Sequence, residues 1–168
     1  MKFYRMLAND FIADYVVPNT EELQEGCFNS EFQFLDHQDY RTTINKDGGS
    51  IFPDFLNFDN VPLASLTLYH LLVNELKIDN LFQKKIILTA PKAGLYQEYQ
   101  LLLPPQISCH YQNRQGHVLI DPKRVGNYQI FKLDDDEIKD LIVTEKVKTK
   151  VSRARLENIQ FVEFESGE

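Results

Sequence analysis

The stretch "ASLTLYHLLVNELKIDN" at residues 64–80 decides the fold, because it carries the clearest helical pattern in the chain. Ser65 can accept a hydrogen bond from a backbone N–H of the first helical turn, which otherwise lacks a partner. The apolar side chains recur three or four residues apart and share one face: Leu68, Tyr69, Leu72, Val73 and Leu76. A face of this width predicts an amphipathic helix that packs on another layer of the protein.

The stretch "TEKVKTKVSRARLEN" at residues 144–158 follows the same plan with few identical residues. Thr144 is suited to cap this second helix, which has a narrower apolar face. That face consists of Val147, Val151 and Ala154. The caps Ser65 and Thr144 are 79 residues apart, and the asparagines that close the two stretches, Asn80 and Asn158, are 78 apart. The similar spacing, with a difference of one residue and little identity, suggests a weak internal repeat.

Patterns typical of strands surround the two helices. Eight segments are apolar or β-branched and end at turn residues or proline. They are residues 2–7, 13–17, 84–91, 96–105, 117–121, 128–133, 141–144 and 158–165. "NTEELQEG" at residues 19–26 predicts a short additional helix. We therefore predict an α+β fold with one domain over residues 1–168, in which two main helices pack on a mostly antiparallel, twisted sheet.

The net charge of −7 is unevenly distributed. Residues 1–60 contain 11 acidic and 4 basic residues, whereas residues 61–168 contain 14 of each. This asymmetry disfavours non-specific binding to nucleic acid or to an anionic membrane and favours a basic partner, although solubility alone explains it equally well. The acidic residues that we expect at a partner-binding surface are Glu21, Glu22, Glu25, Glu31, Asp36 and Asp39.

The cysteines and the start of the chain bear on the compartment. Cys27 and Cys109 are too few for a disulfide framework. The opening "MKFYRMLANDFIADYVV" contains no apolar run long enough for a signal peptide or a membrane span. We therefore expect a cytoplasmic protein with reduced thiols, present as a monomer or a weak homodimer.

The densest acidic run is "DDDEIKD" at residues 134–140, which could be a metal site or a solvated turn. A calcium loop starting at Asp134 would place Ile138 at a position that needs an oxygen ligand. It would also place Lys139 where the sharp turn needs glycine. We therefore predict a solvated turn between two strands, and no metal ion.

No combination of residues predicts a catalytic site or a cofactor. Cys109 and His117 would form a nucleophilic pair only if the fold brought them together, and the carboxylates have no specific spacing. A small hydrolase that uses such a pair or a carboxylate is the alternative to a binding protein. A basic strip of Lys146, Lys150 and Arg153 allows a third interpretation, nucleic-acid binding, which the acidity of the domain disfavours.

Three stretches occur in a distinctive order. They are "FPDFLNFDNVPLASLTLYHLLVNELKIDN" at 52–80, "YQEYQLLLPPQISC" at 96–109, and "HVLIDPKRVGNYQIFKL" at 117–133, which runs into "DLIVTEKVKTKVSRARLENIQFVEF" at 140–164. Over residues 50–165 the chain resembles the immunity-protein family eleven of bacterial polymorphic toxin systems, also catalogued as a domain of unknown function. The matching elements are residues 53–56, Ser65, and residues 99–103, 130–133 and 143–145. The departures are Lys132 for arginine, Thr144 for serine, and "LLLPPQIS" in place of an aspartate-rich segment.

The resemblance implies a non-enzymatic protein that acts in bacterial competition. Such a protein binds a cognate toxin, delivered by a secretion system, and neutralises it by direct contact in the cytoplasm. From the residues and the charge we expect no cofactor, metal ion, nucleic acid or membrane partner, and the resemblance does not identify the activity of the toxin.

Overall fold

The computed structural model describes residues 1–9, 12–19, 21, 40–45, 48–90 and 93–167. In this part of the chain twelve strands form: β1 (Phe3–Leu7), β2 (Tyr40–Thr43), β3 (Phe55–Phe58), β4 (Val61–Ser65), β5 (Phe82–Ala90), β6 (Leu95–Leu103), β7 (Gln106–Ile107), β8 (His110–Gln112), β9 (Val118–Ile120), β10 (Ile130–Leu133), β11 (Leu141–Thr144) and β12 (Gln160–Phe164). The helices are α1 (Leu66–His70), which continues as a π-helical turn over Leu71–Glu75, α2 (Pro122–Val125) and α3 (Glu145–Ala154).

The strands form two five-stranded sheets and one separate hairpin. Sheet I has the order β2-β5-β6-β4-β3, sheet II has the order β12-β1-β11-β10-β7, and β8 pairs with β9. Neighbouring strands are antiparallel except in the edge pairs β2–β5 and β7–β10, which are parallel. The predicted α+β class with mostly antiparallel pairing is confirmed, and its strands are divided between two sheets.

The central core contains both main helices and one face of each sheet. Leu68, Leu72 and Leu76 are buried as their spacing predicts, with exposed fractions of 0, 0 and 5%. Val147 and Val151 of α3 belong to the same cluster. The strands contribute Tyr4, Met6, Ile130, Leu141 and Val143 from sheet II, and Phe55, Ala64 and Leu102 from sheet I. Full burial of a valine, leucine, isoleucine, phenylalanine or methionine side chain stabilises a fold by about 1.5–3 kcal/mol. Because both helices and both sheets contribute such side chains to one cluster, packing on the helices stabilises the arrangement of the two sheets.

The outer face of each sheet is covered by a connecting segment. On sheet I, Val16, Ile44 and Phe52 pack over strand residues such as Leu63 and Tyr99. On sheet II, Cys109, Ile120 and Val125 pack over strand residues such as Phe3 and Phe131. In β4 and β11 every residue is buried, so these two strands are covered on both faces.

The two sheets contain the same series of elements, a hairpin, a helix and a strand, and each sheet also contains one strand from the other half of the chain. In sheet I the hairpin β3–β4 leads through α1 to β5, and β6 lies between β4 and β5. In sheet II the hairpin β10–β11 leads through α3 to β12, and β1 lies between β11 and β12. Each helix cap faces the exchanged strand, because Ser65 pairs with Tyr99 and Thr144 pairs with Phe3. The fold thus repeats one arrangement of elements twice, and the first strand of each repeat completes the sheet of the other.

A parallel contact beside the strand that follows each main helix repeats as well. Thr42 of β2 is the register partner of Leu88, and Ile120 of β9 forms a parallel bridge with Ser166, just beyond β12. Leu88 and Ser166 are 78 residues apart, the same separation as Asn80 and Asn158. The weak sequence repeat therefore corresponds to a repeat of the fold.

Several expected elements differ from the structure. Residues 13–17 form a turn with an isolated bridge from Tyr15 to Ile51 and no strand, because the segment crosses the outer face of sheet I. The second helix ends at Ala154, four residues before the predicted end, and Ala154 is exposed because Arg155 turns the chain with a φ of 53°. Of the helix predicted at 19–26, only Asn19 and Glu21 lie within the described residues.

Candidate functional site

The predicted acidic surface lies mostly outside the described residues. Those outside are Glu22, Glu25, Glu31, Asp36 and Asp39. Glu21 is described, and its side chain is exposed. It lines a cleft of about 540 Å³ together with Pro18, Asn45 and Asp59, which belongs to the turn between β3 and β4. Two acidic residues from separate parts of the sequence therefore line one cleft, which favours a cationic group of a partner over an anionic one.

Asp54 lies immediately before β3 and connects the two repeats. Its Oδ1 accepts a hydrogen bond of 2.6 Å from Ser65 Oγ, and its Oδ2 accepts one of 2.8 Å from the backbone N–H of Glu157. Ser65 Oγ in turn accepts a bond of 3.2 Å from Leu68 N, which confirms the predicted cap. The Asp54 carboxylate thus connects the start of α1 to the segment that follows α3. Hydrogen bonds to an ionised acceptor are stronger than those between neutral groups.

Asn158 adds two further hydrogen bonds to the contact between the segment after α3 and the start of β3. Its Nδ2 donates to the carbonyl of Phe55 and its Oδ1 accepts from the backbone N–H of Asn9, both at 2.8 Å. Its φ of 63° is a left-handed conformation, which asparagine tolerates better than most residues. We call the contact between residues 155–158 and residues 53–55 junction 1.

The equivalent contact in the other repeat, which we call junction 2, lies between residues 77–80 and residues 127–130. Thr144 N donates to the carbonyl of Gln129 at 3.0 Å, as Ser65 N donates to the carbonyl of Asp54 at 2.8 Å. Gln129 therefore occupies the place of Asp54. The polar atoms Gln129 Oε1 and Thr144 Oγ1 are buried without a hydrogen-bond partner. Junction 2 is a pocket of about 370 Å³ lined by Lys77, Ile78, Asp79, Asn80, Asn127, Tyr128 and Gln129.

Thr144 has the position of a cap but not its hydrogen bond. Its side chain accepts nothing from α3, whereas Glu145 N donates to the carbonyl of Lys2 at 3.2 Å. The predicted start of α3 is confirmed within one residue, and the predicted capping contact is wrong. Thr144 is 8% exposed, so its hydroxyl is shielded from water.

The acidic run at 134–140 connects β10 to β11, as predicted. Asp135 Oδ1 accepts bonds of 2.8 and 2.9 Å from the backbone N–H groups of Glu137 and Ile138, and these bonds lower the pKa of Asp135 below its usual 3.8. Its Oδ2 lies 3.4 Å from His110 Nε2. Asp134, Asp136 and Glu137 are exposed, so most of the run faces water, while Asp135 organises the turn. No group of three or more His, Cys, Asp or Glu residues within the described ranges could hold a metal ion.

Cys109 lies in the core beneath sheet II. It is 0% exposed, and burial raises the pKa of its thiol to about 11. His117 lies in the turn between β8 and β9 with a largely exposed side chain, 4.0 Å from a carboxylate oxygen of Glu165. A nucleophilic cysteine needs access to solvent and a lowered pKa, and Cys109 has the opposite properties.

The three residues of the basic strip lie on the exposed side of α3. Lys146, Lys150 and Arg153 line one shallow pocket together with Glu145 and Leu76. Lys150 forms an ion pair of 2.7 Å with Glu75 at the end of the π-helical turn. Part of the positive charge of the strip is therefore compensated by the other helix.

Sequence reasoning did not identify Asp54, Asn158 or Gln129 as residues of a site. Asp54 lies in the segment that carries the family resemblance. The signal available for the two junctions was that Asn80 and Asn158 are separated by almost the same distance in sequence as the caps Ser65 and Thr144. The contacts of Asp54 and Asn158 depend on the exchange of strands between the two repeats. Neither the family motifs nor the repeat spacing reveals this exchange.

Comparisons with known proteins found no significant match: no model of a protein family fits the chain, and no curated protein matches it. Within the described residues, none of the helices has the length and apolar character that crossing a membrane requires.

Proposed function

We propose that the protein is an immunity protein that binds a cognate bacterial toxin by direct contact and neutralises it. The ordered set of motifs over residues 50–165, which resembles immunity-protein family eleven, carries this proposal. Asp54, Ser65 and Tyr99 within these motifs are framework residues: Asp54 bonds Ser65, and Tyr99 Oη donates to the carbonyl of Pro53 at 2.6 Å. These residues of the motifs belong to the scaffold, and we propose that the toxin contacts other residues, on the surface.

The distribution of charge supports a basic partner. The excess of seven negative charges lies in residues 1–60, and Glu21 and Asp59 from this region share one cleft. Charges of opposite sign on two proteins mainly accelerate their encounter and exclude wrong partners. A toxin domain with a basic surface would approach this end of sheet I, where Glu21 and Asp59 line one cleft.

The proposal is tested by co-expression in bacteria. A toxin domain encoded by a neighbouring gene is the candidate partner: it is expressed alone and together with this protein, and growth is measured. We expect growth to be restored and the two proteins to purify as a complex. Persistent toxicity with the protein well expressed, or rescue without a complex, would contradict neutralisation by direct binding.

A charge reversal locates the surface. Glu21→Lys places a positive charge at the acidic cleft and is expected to slow association with the toxin domain and to weaken rescue. Glu137→Lys makes the same change at another exposed acid, in the turn between β10 and β11, and is the matched control. Equal effects of the two variants would show that only net charge matters and that the cleft is not the contact surface.

A further inference from the structure

An apolar pocket of about 480 Å³ lies on the outer face of sheet I, at the hairpin between β5 and β6. Its apolar walls are Ile44 and Phe52, from the segment between β2 and β3, and Ala90, Ala93 and Leu95, from the hairpin. None of its lining residues within the described ranges is charged. Leu95 is 47% exposed, so a large apolar side chain borders the pocket in contact with water. A concave, mostly apolar surface of this kind is typical of a binding site.

One wall of the pocket is fixed by backbone contacts at both ends. Ile44 N donates to the carbonyl of Thr89 in β5 at 3.0 Å, and Gly49 N donates to the carbonyl of Tyr15 at 2.8 Å. A Cβ atom at Gly49 would collide with the backbone of Asp14, so this close approach requires glycine. The pocket therefore exists before a ligand binds, and a preformed site loses less conformational entropy on binding than one that must first be ordered.

The apolar pocket and the acidic cleft lie side by side. Thr43, Ile44 and Asn45 line both of them, and Glu21 and Asp59 line the cleft beyond this shared wall. An apolar centre with a charged rim is the usual anatomy of an interface between proteins. In such an interface the apolar anchor contributes most of the affinity, whereas the charges steer the encounter.

We propose that the apolar pocket receives a large apolar side chain of the toxin, such as phenylalanine, and that a neighbouring lysine or arginine of the toxin lies at the acidic cleft. This inference rests on the proposed function, because the toxin supplies both side chains. Charge favours a basic partner over a second copy of this chain, since a second copy would bring another net charge of −7 to an acidic surface.

Two neighbouring substitutions in β6 test the apolar anchor. Leu95→Ser removes a wall of the pocket, and Tyr96→Ser removes a side chain that is 69% exposed, lines neither the pocket nor the cleft, and points to the opposite face of the strand. The affinity of each variant for a toxin domain encoded by a neighbouring gene is measured by calorimetry. We expect Leu95→Ser to weaken binding by about tenfold or more and Tyr96→Ser to leave it unchanged.

The outcomes separate this inference from the proposed function. If the toxin domain binds the original protein and both variants equally, the pocket is not the anchor site, and the immunity proposal stands without it. If the toxin domain does not bind the original protein, the immunity proposal fails, and the inference fails with it.

Short peptides test the apolar and the cationic element separately, and they do not depend on the folding of a variant. Acetyl-Lys-Phe-Lys-amide carries both elements, acetyl-Lys-Ser-Lys-amide lacks the apolar side chain, and acetyl-Glu-Phe-Glu-amide lacks the cations. Each is titrated into the full chain at constant ionic strength and followed by ¹H–¹³C methyl NMR. We expect the first peptide to bind most tightly, with saturable shifts of the Leu95 and Ile44 methyl groups. Equal binding of the three peptides, or no saturable shift at these methyl groups, would overturn the proposal.

Sedimentation equilibrium tests the competing occupant, a second copy of this chain. We expect the original protein and Leu95→Ser to be equally monomeric at the concentrations used for binding. A dimer that Leu95→Ser converts to a monomer would assign the pocket to self-association and would overturn its assignment to the toxin.

Discussion

Replacement of Asp54 by alanine should destabilise the fold far more than the equivalent change at Gln129. Asp54→Ala removes bonds of 2.6 and 2.8 Å to an ionised acceptor, and it leaves the Ser65 hydroxyl, on a residue only 8% exposed, without that acceptor. Bonds to charged groups contribute about 1.5–3 kcal/mol each. Because Asp54 is partly exposed, we expect a loss of about 2–4 kcal/mol in the free energy of unfolding.

Gln129→Ala is the matched control, since it occupies the equivalent place and its Oε1 makes no hydrogen bond. We expect it to change the free energy of unfolding by less than about 1 kcal/mol. Urea denaturation followed by far-UV circular dichroism measures both, because the chain contains no tryptophan. Equal losses in the two variants, with unchanged denaturant dependence, would refute the argument that the Asp54 bonds hold the two repeats together.

Three further results are expected. Ser65→Ala should lower the free energy of unfolding by about 1 kcal/mol because it removes a helix cap. Thr144→Val should be neutral or stabilising because the Thr144 hydroxyl is buried without a partner. A larger loss for Thr144→Val than for Ser65→Ala in thermal unfolding would contradict this. In a Cys27→Ser background, Cys109 should react with a thiol reagent only after unfolding, since burial raises its pKa to about 11; rapid labelling of the native protein would show an accessible thiol. Backbone N–H donors lower the pKa of Asp135, so its carboxylate stabilises the fold above the usual pKa of 3.8, and this contribution is lost as the pH falls through the lowered value. Asp135→Asn should therefore lose less stability than the original protein on acidification. Equal acid sensitivity of the two proteins would contradict this.

The helices and most strands could be predicted because their patterns are local. Leu68, Leu72 and Leu76 share a face through the helical period alone, and the Ser65 cap needs only the first turn of α1. Strands such as β6 and β11 end where proline or a helix begins. In these cases the residue types and their spacing contain the required information.

The division into two sheets could not be predicted from local patterns. Alternating burial indicates which face of a strand is covered, but it does not indicate which strand lies beside it. The exchange of β1 and β6 depends on contacts between residues distant in the sequence, such as Phe3 with Thr144, which are 141 residues apart. For the same reason the Asp54 and Asn158 contacts, which join residues 103 positions apart, had no signal beyond the repeated asparagines.

The proposed immunity function is tested most directly by the affinity of the purified protein for a candidate toxin domain encoded by a neighbouring gene. A titration of one into the other by calorimetry, at low and high salt, measures this affinity. The account predicts a one-to-one complex with a dissociation constant below about 1 μM, weakened by salt because a basic surface meets an acidic one. Absence of binding at low salt between two folded proteins would contradict it.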